Sequence, residues 1–505
     1  MPKVAVFFAF LLISPLLTNS HAFSIDQFTS LDDTGDPIIH NSDIIDVDSD
    51  FFLENNFKRY LIFGSNLPQT NVLKNNSLYG IQSDHGFFYV SVLAEKTASN
   101  LIAQGYNVIE DSKLDFHTSD QTISDVSRIG EITGSTVAKE KYNATGNDIV
   151  IAVVDTGVDF SNPDIQHSLA RDELNHPLML DPDGQGIILT NATFYANISQ
   201  YDTIRNYTKP LLDNMTSSVY LTRDGAFLDI FQKGDGTTIQ VYNSLFPQFG
   251  NSVIFNGTLS NDMKIGNSPT DFIKSKSGVY HLGVMYQGGL FNKIQVVPIL
   301  VVDSITSGVY DTIIPDLSTS WQDYTKDDLD STKSNYDFDF TDETPIVLGS
   351  GNEFLVFDSD NDGKNDYSAG TFGAQVLDVY GVIKNTSTTI DDSLNAINGT
   401  LLPPIDPGGN FFGVMTDFMG HGTSSAASIV SRGHESYDIY NDTEKYSITG
   451  VAPDAKILPV KALWFGDTVY GWLWSAGFEN TGNNWEFSGK PKVDIISNSW
   501  GISNF

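Results

Sequence analysis

Hydrophobic and polar positions alternate in blocks rather than evenly along this chain. Residues 59–65 (RYLIFGS) and 87–93 (FFYVSVL) are short apolar runs in polar sequence, and each predicts a strand. Between the second run and the next strand, AEKTASNLIAQG places Ala94, Ala98, Leu101 and Ile102 on one helical face and ends at Gly105. YNVIED, from Tyr106 to Asp111, predicts another strand and completes a small αβ unit. Residues 147–154 (NDIVIAVV) then form an apolar run without alternation, the pattern of a parallel strand covered on both faces. The same pattern returns in AKILPVKAL (455–463) and VDIISNSWG (493–501). The long stretch between these parallel strands is Asn-, Asp- and Gly-rich, with short alternating strands such as SGVYHLGVMYQ and KIQVVPILVV. It predicts a β-rich insertion.

At the start of the chain, one lysine precedes an apolar run from Val4 to Leu17 and then Ser20-His21-Ala22. This is the layout of a secretory signal peptide cleaved after Ala22. No later apolar run is long enough to span a membrane. Sequons recur from Asn143 to Asn441 and cysteine is absent, so a secreted or cell-surface, glycosylated protein without disulfides is expected. The 63 acidic residues outnumber the 28 basic ones and give a formal charge of −35, which argues against nucleic acid or anionic membrane as partners. Most of these carboxylates are expected to be a solvated surface, some to be cation ligands; adaptation to high salt stays open.

Two short motifs carry chemistry. Asp155 ends the first parallel strand, followed by Thr156-Gly157, at the edge where α/β sheets place functional groups. An aspartate there can orient an imidazole or cap the following turn. His421 lies between Gly420 and Gly422 ahead of Ser424, Ser425, Ala426, Ala427 and Ser428, small enough for a helix to lie close to the sheet. A third pattern, FDSDNDGKNDYSAG, sets Asp358, Asp360, Asp362 and Asp366 around Gly363 at a spacing that suits calcium. Ala369 stands where an EF-hand has its bidentate glutamate, so a shorter structural loop is expected.

With these motifs in hand, the sequence resembles the subtilisin-like serine peptidases (subtilases, peptidase family S8). IVIAVVDTGVDFSNPDI is similar to the family's aspartate motif and GHGTSSAASIV to its histidine motif; GVAPDAKILPVKAL and VDIISNSWG are similar to the strands that follow. The order of the two motifs matches the Asp…His…Ser order of subtilisin. YDFDFTDETP and the length of the insertion resemble the pyrolysin and tripeptidyl peptidase II branch.

The resemblance implies an incomplete subtilisin-like doubly wound parallel sheet of α/β class, with an αβ propeptide and a β-rich insertion. The implied organisation is signal peptide 1–22, leader and propeptide-like domain 23–128, first catalytic part 129–165, insertion 166–410 and second catalytic part 411–505. Asp155 would orient, and His421 would act as general base and then acid. Ser499, Trp500 and Gly501 would line a cleft where protein or peptide substrates, or the chain's own propeptide as inhibitor, pair as an added strand. Ser424-Ser425-Ala426-Ala427 departs from the family's usual His-Val-Ala-Gly, and Trp500 replaces a smaller apolar residue. Downstream of VDIISNSWG neither the Gly-Thr-Ser nucleophile motif nor the oxyanion asparagine appears. The chain is therefore read as the N-terminal portion of a secreted serine endopeptidase, inactive as it stands. A non-catalytic secreted binding module on a dead peptidase scaffold is the alternative, and an exopeptidase is a third reading.

Overall fold

A computed structural model describes residues 57–65, 73, 77–116, 128–184, 186–190, 192–195, 219–221, 226–233, 236–243, 252–258, 275–288, 293–317, 321–323, 340, 343–357, 365, 367–378, 399–438, 445–481 and 484–502. All of these fall in one unit, Asn41–Phe505. The signal-peptide and leader segments lie outside the described residues.

The αβ unit is an antiparallel sheet of β1 (Phe57–Gly64), β2 (Ser77–Ser83), β3 (Gly86–Ala94) and β4 (Asn107–Glu110), in the order β2-β3-β1-β4. Helix α1 (Glu95–Ala103) follows β3 directly. Both faces of this sheet are apolar, because both are covered. Tyr60, Ile62, Tyr89 and Leu93 pack on Ala98 and Leu101 of α1. Leu61, Tyr79, Val90 and Val92 point the other way, into a core shared with the rest of the chain. Strand β2 was not expected from the sequence, where Gly80 and the polar residues at its end mask the alternation. Ile102, expected on the packed face of α1, is 55% exposed. It sits one residue beyond Leu101, and the stripe that meets the sheet runs through Ala98 and Leu101 only.

The central sheet collects strands from distant parts of the chain: β5 (Val150–Asp155), β6 (Leu180–Asp181), β7 (Gln375–Asp378), β8 (Thr400–Leu402), β9 (Lys456–Lys461) and β10 (Ile495–Asn498). Their order is β8-β7-β6-β9-β5-β10. All neighbours are parallel except the β7–β8 edge pair. Three of these strands, β6, β7 and β8, come from the stretch read as insertion. Strand β5 has apolar residues on both faces because a helix covers each. Ile151 and Val153 pack with Ala426 and Val430 of α2 (His421–Val430). Ala152 and Val154 pack with Tyr470 and Trp474 of α3 (Phe465–Ser475). Tyr79 of the αβ unit meets Tyr470 edge-on at 5.2 Å, so that unit lies over α3. The architecture is α/β with a mainly parallel sheet.

The intervening stretch is rich in antiparallel pairs, led by Val279–Gly288 with Lys293–Val302. It has its own apolar core around Ile299, Ile313, Phe372 and Phe412. A hydrogen bond from Ser368 Oγ to Asp159 Oδ1 (2.8 Å) ties it to the loop after β5.

Candidate active site

Asp155 is the last residue of β5, at the carboxyl edge of the parallel sheet, and only 1% of it is exposed. Its Oδ1 accepts from the Thr156 amide at 2.8 Å and lies 2.6 Å from Nδ1 of His421. Its Oδ2 accepts from Ser425 Oγ at 3.2 Å. Burial raises the pKa of Asp155 above the ordinary carboxylate range, while the imidazole and the Thr156 amide oppose that rise. His421 opens α2, and its side chain keeps 15% exposure, so one edge of the ring reaches the surface while Nδ1 faces the aspartate.

A second carboxylate fixes where that helix begins. Asp417 Oδ1 accepts from the Gly420 amide (2.9 Å) and Thr156 Oγ1 (2.7 Å), and Oδ2 accepts from the Thr423 amide (2.8 Å) and hydroxyl (2.6 Å). Thr156 Oγ1 in turn accepts the Gly422 amide at 2.9 Å. The two motifs are thus tied together by Thr156 Oγ1, which donates to Asp417 and accepts the Gly422 amide, and by the Ser425 hydroxyl on Asp155, besides the contact between Asp155 and His421. The other three bonds on Asp417 lie within the histidine motif. Gly422 is required for the approach: a Cβ there would lie 2.0 Å from the Gly157 carbonyl oxygen. Sequence reasoning missed Asp417. The available signal was an acidic residue just ahead of a helix start, the usual place for a cap.

Beside the pair runs an extended strand of the αβ unit. The Leu114 amide donates to the Leu463 carbonyl (2.8 Å), and Asp115 exchanges two bonds of 2.9 Å with Gly501. The next ring, Phe116, lies 5.3 Å from His421, centroid to centroid. Of the three residues assigned to the cleft, Gly501 lines it through its backbone. Trp500 turns back to donate Nε1 to the Val154 carbonyl (3.1 Å) and stacks on Trp472, while Ser499 is exposed at the strand end. Asp358, Asp360, Asp362 and Asp366 lie outside the described residues. Ala369 is buried in the strand Tyr367–Phe372. Among the described residues, no group of three or more His, Asp or Glu is placed to hold a metal ion.

LDPDGQG, residues 180–186, supplies a further buried carboxylate at the same sheet edge. Asp181 accepts the amides of Asp183, Gly184 and Gly186, and burial followed by the nearby Asp183 pushes its pKa well up.

Residues 410–504 match the model of the subtilase family, Peptidase S8. Over this stretch the chain is similar to the subtilases. The subtilase segment contains His421, α2, β9, α3, β10 and Gly501; Asp155 lies before it and joins it through the pairing of β5 with β9 and β10. No curated protein and no solved structure matches the chain. The segment's literal Gly422-Thr423-Ser424 belongs to the helix, where Ser424 Oγ donates to the Gly420 carbonyl at 2.8 Å.

Proposed function

We propose that the chain carries the aspartate and histidine of a secreted serine endopeptidase. The observation behind this reading is the 2.6 Å contact between Asp155 Oδ1 and His421 Nδ1 at the carboxyl edge of a parallel sheet, inside a subtilase segment. With Nδ1 donating to the carboxylate, Nε2 is left as the base toward a serine hydroxyl, and the same nitrogen later returns the proton to the leaving amine. The imidazolium formed in between is stabilised by Asp155. Gly501 binds the substrate backbone as an added antiparallel strand, as it now binds Asp115.

In the same reading, the αβ unit is an intramolecular inhibitor, since residues 113–116 occupy the position of a substrate. The loop from Asp358 to Asp366 binds a structural calcium ion. The apolar run behind the N-terminus and the repeated sequons support secretion.

The test is proteolysis of an unfolded protein by the protein as its own gene makes it. His421→Ala is expected to lower turnover by several orders of magnitude and Asp155→Asn nearly as much, both with unchanged folding. Wild-type turnover in either variant would refute the assignment. If proteolysis is absent and peptide binding in the cleft is retained, the non-catalytic binding module is the better reading.

A further inference from the structure

Arg59 leaves β1 of the αβ unit and ends on the subtilase segment, with only 4% of its side chain exposed. Its Nη2 lies 2.6 Å from Asp467 Oδ1, in the first turn of α3, and its guanidinium carbon sits 5.0 Å from the centroid of the Trp464 ring. Its Nε lies 3.2 Å from Asp111, which also accepts the Gly466 amide at 3.1 Å. Asp467 is anchored by the Trp464 amide, which donates to Oδ2 at 3.3 Å. A ring face and a fixed carboxylate, both at the head of one helix, suit a planar fork that donates in its plane and stacks through its face.

The backbone at this point is shaped for a close partner. A Cβ on Gly466 would lie 2.7 Å from Asp111 Oδ2 and 2.9 Å from a Val90 methyl. Desolvation pushes Asp467 up to about 8 and raises Asp111 as well, with Arg59 opposing both. The position is also part of the cleft: Lys113 bridges Trp464 through the backbone, and its Nζ lies 5.5 Å from the same ring. Trp464 thus meets two cations at the end of the strand that leads to Phe116 and His421.

We propose that Trp464 and Asp467 form an arginine-binding subsite at the far end of the cleft, filled in this chain by Arg59 and by an arginine of an extended peptide when β1 is withdrawn. The peptide half of this statement rests on the peptidase reading. The subsite chemistry does not, and it is tested without turnover.

In the 505-residue chain, Arg59→Ala empties the subsite and is expected to lower Tm by several degrees. Methylguanidinium at millimolar concentration should restore part of that loss in a saturable way, with methylammonium and sodium at equal ionic strength doing markedly less. Wild type should show no such gain, and Arg59→Ala/Asp467→Asn should lose it. Equal effects of the three cations, or an equal gain in wild type, would overturn the proposal. Should Arg59→Ala not fold, Trp464→Leu in the native chain should speed amide exchange at Leu114 and Asp115, with Trp464→Phe restoring much of the protection; unchanged exchange in Trp464→Leu would overturn it. Failure of proteolysis with successful rescue would sink the peptidase reading and leave the subsite standing.

Discussion

A carboxylate buried at a strand end stays ionised only if enough donors converge on it. Asp155 has three: a backbone amide, an imidazole N–H and the Ser425 hydroxyl, set against the cost of its burial. Ser425 is one of the residues by which this histidine motif departs from the family pattern, and its hydroxyl reaches Asp155 Oδ2. The opposite case is His281, buried edge-on against Tyr310 in the insertion, where burial pushes its pKa down from 6.5 to about 4. Its neutral form is favoured in the folded state, so the unfolded chain binds more protons between about pH 6.5 and 4. Stability should therefore be complete above that window and fall as pH drops through it. His281→Gln should flatten this acid limb in urea titrations at a series of pH values. An unaltered pH dependence in the variant would contradict the assignment.

At the scale of elements, the legible parts were those with a strong local pattern. β5, β9 and β10 are unalternating apolar runs, and the glycine-framed His421 sits at a helix start because Asp417 and Thr156 satisfy the first free amides. Strands β6 and β7 were not legible as sheet members, since two and four residues carry no usable periodicity. Asp417 and Asp467 look like ordinary loop and helix-start acids until the chain brings Thr156 and Arg59 to them from far away in sequence. The strand from Lys113 to Phe116 is held by backbone pairing, which no side-chain pattern announces. Asp115→Pro removes the amide that donates to Gly501 and should loosen the reciprocal bond. Amide exchange at Gly501 should then rise roughly tenfold or more, the equivalent of one lost hydrogen bond of about 1.4 kcal/mol. Unchanged exchange at Gly501 would show that the pairing does not hold the strand in place.

For the molecule as a whole, the αβ unit and α3 share one apolar core, so docking of the αβ unit and folding of the segment 410–504 are coupled through Tyr79, Tyr470 and Trp474. Part of the insertion has a core of its own, while its Leu180, Val376 and Leu377 pack into the cores of the central sheet. If its Asp358–Asp366 loop binds calcium, Tm should fall in chelator and recover with added calcium, and Asp360→Ala should remove much of that response. Identical melting with and without calcium would count against the loop. Asp155 and His421 meet only when β5 and α2 are assembled from distant parts of the chain. NMR of the 505-residue chain with nitrogen-15 histidine reads that contact. His421 is expected to carry a proton on Nδ1, resonating far downfield of the amides, and Asp155→Asn is expected to abolish this signal while the fold persists. A His421 ring protonated only on Nε2, or an Nδ1 proton indifferent to Asp155→Asn, would contradict that contact.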